Sequence, residues 1–298
     1  MSSRTWDVAA HVRADIGEGP AWDDREGVLW FVDVSPGALF RLNPLTGEVE
    51  RRLVGLPLGA AIPAREGGLI LALEDGVHAY SWDDDATRLL VPVEAHDARI
   101  RMNDAKCDPR GRLWAGTMAY DFTPGVATLY RFDQAGPSPV QTGCTIANGM
   151  GWSPDTATMY FVDTPTSRID VFDYDIETGA ATDRRAWVTV EDGAGSPDGL
   201  TVDAEGCVWV ALWGGGAVHR YAPDGRLIEV VELPVRQVAS ACFGGPSLTD
   251  LYVTTAAYEM TPADLEREPL AGATFVVTTD VVGSPTVTVD TGSFSPVT

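Results

Sequence analysis

The sequence predicts an all-β fold, a six-bladed β-propeller with four antiparallel strands per blade, on three observations. A short apolar run recurs six times along the 298 residues; each run is followed by a second strand-like segment and preceded by a small polar or glycine-containing anchor. The anchors are separated by about 40–50 residues, the period of one propeller blade. Six such units account for nearly the whole chain, so residues 1–298 are read as a single propeller domain.

The apolar runs are VLWFVD (28–33), LILALED (69–75), LWAGTM (113–118), MYFVDT (159–164), VWVALW (208–213) and LYVTTA (251–256). Their partners are ALFRLNP, GVHAYSW, TLYRFD, RIDVFDY, AVHRYAP and ATFVV. Between strands stand Asp-Pro-Arg-Gly (108–111), Ser-Pro-Asp (153–155), Asp-Ala-Glu-Gly (203–206) and Pro-Asp-Gly (223–225), which are turn sequences. Trp30, Trp114, Tyr160, Trp209 and Tyr252 each follow their anchor at nearly the same distance, which places them between neighbouring blades.

A ring of blades must close to remove its open edges. Residues 6–12 (WDVAAHV) are therefore expected to supply the outer strand of the blade that holds the C-terminal segments. The one helix-like stretch, TPADLEREPL (261–270), has Thr261 as N-cap and Pro262 at the first helical position. It is expected as an insertion in the sixth blade.

Lys and Arg total 21 against 43 for Asp and Glu, a net charge of −22. Such a surface repels phosphate backbones and anionic headgroups, so nucleic acid and membrane surfaces are excluded as expected partners. The segment MSSRTWDVAAHVRADIGEGP has no apolar signal-peptide core, and no apolar run is long enough to span a bilayer; the expected location is cytoplasmic. Cys107, Cys144, Cys207 and Cys242 show no C-x-x-C spacing and read as buried free thiols. His11, His78, His96 and His219 share no repeat position, LWGGGAVHRY lacks the lysine of a phosphate loop, and no G-x-S-x-G elbow is present.

The anchors carry the chemistry. They are Glu18-Gly19-Pro20, Gly59-Ala60, Asn103-Asp104, Asn148-Gly149, Asp198-Gly199 and Ser240-Ala241. Loops that enter the innermost strands of a propeller meet at one mouth of its central channel, so residues far apart in sequence are expected to converge there. A single Asx before a strand is ordinarily a turn former. Three oxygen donors at matching repeat positions instead make a metal site in the central channel: Glu18 and Asp198 balance a divalent charge and Asn148 adds a neutral oxygen. Hard oxygens suit Ca²⁺, Mg²⁺ or Mn²⁺, and Zn²⁺ is a further candidate.

The segments GEGPAWD (17–23), RMNDAKCDPRGRLWAGTM (101–118), IANGMGWSPD (146–155), SPDGLTVDAEGCVWVALWGGG (196–216) and CFGGPSLTDLYVTTA (242–256) resemble the SMP-30/gluconolactonase/regucalcin family in order along the chain. The resemblance implies a six-bladed propeller holding one divalent ion, Ca²⁺ first, with Zn²⁺, Mn²⁺, Mg²⁺ or Fe²⁺ as alternatives. It also implies hydrolysis of a sugar-acid lactone such as gluconolactone, xylonolactone or arabinolactone. Glu18, Asn148 and Asp198 match the family's metal ligands, and Asp198 matches its general base. Arg101 and Asn103 match residues that hold substrate oxygens, and Asp121 stands where animal regucalcins carry a Glu that is one methylene longer. Asp104 is expected in a turn or supporting role. The expected partner is a small sugar lactone, and the expected assembly is a monomer or weak homo-oligomer. The alternatives are a phosphotriesterase or broader esterase on the same metal propeller, a calcium-binding regulator, and a scaffold for protein partners.

Overall fold

A computed structural model describes residues 4–294, which build six four-stranded antiparallel sheets. The first two strands of the successive blades are Gly17–Asp23 and Val28–Asp33, Leu58–Pro63 and Leu69–Leu73, Ile100–Cys107 and Leu113–Ala119, Ala147–Trp152 and Thr158–Asp163, Ser196–Val202 and Val208–Trp213, and Val238–Gly244 and Asp250–Thr255. The first strand of each pair is the innermost. These six innermost strands lie side by side around the axis, the sixth blade's packing on the first blade's, so blades three and six stand opposite each other.

One expectation is corrected by this arrangement. The anchors do not lie in loops entering the channel; they lie inside the innermost strands, and the apolar runs form the second strand of each blade. The second strand is covered on both faces by neighbouring blades, which is why it reads as an unbroken apolar run and not as an alternating one.

The ring closes as expected. Trp6–Ala10 pairs antiparallel with Thr274–Thr278, from Trp6 opposite Val277 to Val8 opposite Phe275 and, after a register shift at Ala9, Ala10 opposite Thr274. The sixth sheet thus takes its outer strand from the start of the chain and its other three from the end. The helix is shorter than expected, Pro262–Arg267, and begins with a capping box in which Thr261 and Asp264 each bond the other's backbone N–H. It stops because Glu268, the residue before Pro269, adopts φ −122° and ψ 70°, outside the helical region that a following proline disfavours. No helix among the described residues is long and apolar enough to cross a membrane.

The core lies between blades. Trp30 of blade one packs with Leu58, Leu71 and Tyr80 of blade two. Trp114 of blade three meets Trp152 and Tyr174 of blade four, Trp209 of blade five meets Phe243 of blade six, and Tyr252 stacks on Trp22 of blade one. Each such aromatic buries a large apolar surface, and edge-to-face contacts add directionality. Two of the turn sequences serve this packing. Asp108 is fully buried and accepts from Trp114 Nε1 at 3.1 Å, Tyr174 Oη at 2.7 Å and Arg112 Nε at 2.6 Å. Asp203 accepts from Trp209 Nε1 at 2.9 Å and Arg220 Nη2 at 2.7 Å.

A C-terminal strap crosses the face where the innermost strands end. Ser284 N donates to Val202 O of blade five, Trp22 N of blade one donates to Thr286 Oγ1, Val289 N donates to Pro63 O of blade two, and Asp290 N donates to Gly111 O of blade three. The channel is thereby covered at this end.

Candidate active site

Every innermost strand breaks register with its neighbour at one place. The breaks fall between Glu18 and Ala21, Leu58 and Ala60, Met102 and Ala105, Ala147 and Met150, Pro197 and Leu200, and Val238 and Ser240. Each is a β-bulge, with one more residue on the innermost strand than on its partner, and a bulge re-aims the side chain it carries. Asn103, Asn148 and Asp198 are bulged residues, and Glu18 borders the bulge of blade one. An ordinary strand would have sent alternate side chains into the blade interfaces; the bulges turn these into the channel.

Glycine follows Asn148 and Asp198 because the neighbouring blade is in contact. A Cβ on Gly149 would sit 2.3 Å from Asp198 O, and one on Gly199 would sit 2.1 Å from Ser240 Oγ. The Asn-Gly and Asp-Gly anchors are therefore sites of close approach between innermost strands.

Glu18, Arg101, Asn103, Asn148 and Asp198 line one cavity of about 730 Å³ at the mouth where the innermost strands begin. Arg101, Asn148 and Asp198 are 5–7% exposed. Asn148 Nδ2 donates to Asp198 Oδ1 and, at 3.1 Å, to Thr164 Oγ1, while Asn148 Oδ1 is buried with no hydrogen-bond partner. Glu18 Oε2 accepts from Gly19 N at 2.9 Å. Arg101 Nη1 donates to Met102 O at 2.9 Å and to Asn103 Oδ1 at 3.1 Å, and Asn103 Nδ2 donates to Ala147 O at 3.2 Å. The guanidinium is thus pinned from blade four through Asn103.

Three carboxylates crowd this part of the channel. Burial, then Asp198 and Asp104, push the Glu18 carboxyl well above its usual range; burial, then Asp104, do the same to Asp198. Burial also raises Asp104, opposed by Lys106. Burial lowers the Arg101 guanidinium, with Tyr120, Glu18, Tyr258 and Asp198 opposing. Like charges held together out of water are costly, and a cation among them removes that cost. An orphaned amide oxygen beside two such carboxylates is a donor set that fits a divalent ion.

The model of the SMP-30/gluconolactonase/LRE-like region matches residues 16–257. The chain belongs to this family. Regucalcin of Xenopus laevis is 36% identical over 294 residues, covering 93% of this chain and 95% of that protein. Among solved structures, a calcium-binding protein described as regucalcin from Agrobacterium tumefaciens superposes with a TM-score of 0.93 at 27% identity, covering 97% of this chain and 99% of that one. A luciferin-regenerating enzyme superposes at 0.91 with 31% identity, covering 97% of this chain and all of that one. A six-bladed propeller of four-stranded blades is thus common to this SMP-30/gluconolactonase relative and its neighbours.

Of the residues matched to substrate contacts, Asp121 is placed differently from the others. It is exposed, and its Oδ1 accepts from Thr123 N at 3.0 Å and Thr123 Oγ1 at 2.7 Å, while its neighbours Tyr120 and Phe122 line the cavity. Asp104 is buried and lines a second cavity of about 270 Å³ on the strap side, together with Lys106, whose Nζ donates to Leu200 O at 2.5 Å. The sequence reading missed Tyr120, Thr164, Trp213, Gln237 and Tyr258, which complete the wall of the larger cavity. Only Gln237 carried a usable signal, a polar residue just ahead of the sixth innermost strand.

Asp203, Glu205 and Cys207 also cluster closely enough to suggest a metal. Their chemistry argues otherwise. Asp203 Oδ1 accepts from Glu205 N and Cys207 N, and Oδ2 from Trp209 and Arg220, so its lone pairs are spent on a buried ion pair. All four cysteines are buried and free, as expected.

Proposed function

We propose that this protein hydrolyses a small sugar-acid lactone with the help of one divalent cation. The observation that carries the reading is the set Glu18, Asn148 and Asp198, with Asn148 Oδ1 orphaned, beside a pinned Arg101. The family match, and relatives named regucalcin, support it.

Glu18, Asn148 and Asp198 would hold the ion. When bound, such an ion supplies Lewis acidity toward the lactone carbonyl. Arg101 presents N–H groups toward acceptor oxygens of the substrate, and its fixed fork orients the ring. Asp198 takes a proton from water as the water oxygen bonds to the carbonyl carbon. The acyl–oxygen bond of the ring then breaks, and the same proton passes to the departing alkoxide. Thr164 holds Asn148 in place through Nδ2, which leaves Oδ1 free and would let it serve as a neutral oxygen donor to the ion.

Calcium is the first candidate ion, and gluconolactone, xylonolactone and arabinolactone are the first candidate substrates. The test is hydrolysis of this panel above the spontaneous rate by protein stripped of metal and reloaded with one cation at a time. Acceleration that appears only with a cation supports the reading; none on any member with any cation ends it. A second reading, an esterase or phosphotriesterase, draws support from Tyr120, Phe122, Tyr258 and Met260 around the cavity. Faster turnover of a phosphotriester than of any lactone would favour it. Calcium binding without turnover of either substrate class would favour the regulator reading.

A further inference from the structure

Blades three and six present the same register position to the channel from opposite sides. Met102 pairs with Thr117 and is the last paired residue before the bulge of blade three; Val238 pairs with Thr255 and is the last before the bulge of blade six. Arg101 and Gln237 each stand one residue earlier, and both line the large cavity. By the same register the positions on blades one, two, four and five are Gly17, Pro57, Ile146 and Ser196, so blades three and six alone carry a long polar side chain there.

Gln237 is held firmly. Its backbone bridges Trp213 of blade five, and its O accepts from Ala256 N at 3.0 Å. Its side-chain Nε2 donates to Tyr258 O at 3.0 Å, which fixes the amide plane. Oε1 is buried and has no hydrogen-bond partner. A buried acceptor left unmade costs about 1–3 kcal/mol, and a ligand hydroxyl that donates to it recovers that cost.

Across the cavity, Arg101 is purely a donor, while Gln237 offers an unpaired acceptor. We infer that Gln237 is a specificity residue that receives a hydroxyl proton from a polyhydroxylated substrate whose other side is held by Arg101. The inference deepens the lactonase reading and rests on it for the reaction, though not for binding. Sites built to hydrogen-bond a hydroxyl reject the analogue that lacks it far more strongly than apolar pockets discriminate by size. The favoured substrate therefore carries hydroxyls on the ring or its side arm, and a bare ring of the same size is a poor one.

The experiment compares glucono-δ-lactone with δ-valerolactone, the same ring without hydroxyls, for the cation-loaded wild type, Gln237→Met and Gln237→Glu. Gln237→Met keeps the length of the side chain without an acceptor and is expected to cut the preference for the hydroxylated lactone about tenfold, mainly through KM. Gln237→Glu keeps an acceptor and is expected to retain most of the preference. An equal fall on both lactones, or no change in preference, overturns the inference. If the wild type hydrolyses neither lactone, the lactonase reading fails, and calorimetric titration with 1,5-anhydroglucitol decides on Gln237. Binding that weakens about tenfold in Gln237→Met supports the assignment, whereas no binding to wild type, or equal binding to both, overturns it. Thermal melts of all three proteins separate misfolding from loss of recognition.

Discussion

Asn148 donates through Nδ2 to Asp198 Oδ1, and this single contact across blades four and five leaves Asn148 Oδ1 buried without a partner. Turning the amide over would set its oxygen against the Asp198 carboxylate in place of the Nδ2 donor, so the orientation is fixed by Asp198. The cavity therefore holds a directed oxygen donor between raised carboxylates.

Removing a ligand separates stability from binding. Glu18→Gln takes one charge out of the crowded cluster, so the cation-free protein is expected to melt at a higher temperature than wild type. The same variant is expected to lose cation affinity by about a hundredfold or more, exceeding the loss typical of supporting residues. Differential scanning calorimetry with and without calcium reads both. A lower melting temperature in the absence of cation would contradict the charge argument.

The effect of cation on stability should depend on pH in a set direction. Glu18 and Asp198 are raised above their ordinary values of 4.5 and 3.8 in the folded protein. Their contribution to the cation-free fold is thus fully present below those values and is lost as pH rises through the raised ones. A bound cation favours the ionised forms and reverses this trend. The melting-temperature gain from calcium is expected to be larger near pH 8 than near pH 5, and an equal or smaller gain at the higher pH would refute the account.

Gly149→Ala tests the close packing of the innermost strands. Its Cβ would meet Asp198 O at 2.3 Å, so blades four and five must part or the Asp198 bulge must move. The expected cost is about 1–3 kcal/mol in urea denaturation. Cation affinity should fall as well, although alanine touches no donor atom; unchanged affinity would mean that the bulge tolerates the displacement.

Asp108 and Asp203 should behave as structural residues. Asp108→Ala leaves Trp114 Nε1, Tyr174 Oη and Arg112 without their buried acceptor, and a loss of about 3–5 kcal/mol is expected. Glu205→Ala, by contrast, should leave cation binding unchanged, because the group it belongs to is already neutralised by Arg220. Loss of calcium binding in Glu205→Ala would move the metal to blade five.

Asp121 offers a direct comparison with its neighbour. Its carboxylate is engaged with Thr123 outside the cavity, whereas Tyr120 lines it. Asp121→Ala is expected to change kcat/KM on the best lactone by less than about threefold, and Tyr120→Ala by more. A large KM effect at Asp121 alone would show that this loop turns inward on binding.

The repeat made the blades legible in the sequence, because turns and apolar runs recur with the period of one sheet. The convergence of Glu18, Asn148 and Asp198 was legible for the same reason: each belongs to the anchor ahead of its blade's apolar run, Asn148 and Asp198 within the bulge and Glu18 beside it. What stayed hidden was local. A one-residue bulge reverses which side chains face the channel, and it leaves no mark in composition, so the anchors read as entry loops. The outward turn of Asp121 and the inward acceptor of Gln237 depend on backbone a few residues long, where a family motif says nothing about direction.

The closing strand also sets a timetable. Trp6–Ala10 can find its partner only after Thr274–Thr278 exists, so during synthesis this strand waits while all the blades between the two are made. At about 5–20 residues per second, that delay is roughly fifteen to fifty seconds. Throughout it, one edge of the nascent ring is open to any other strand nearby, including that of a second chain on a neighbouring ribosome.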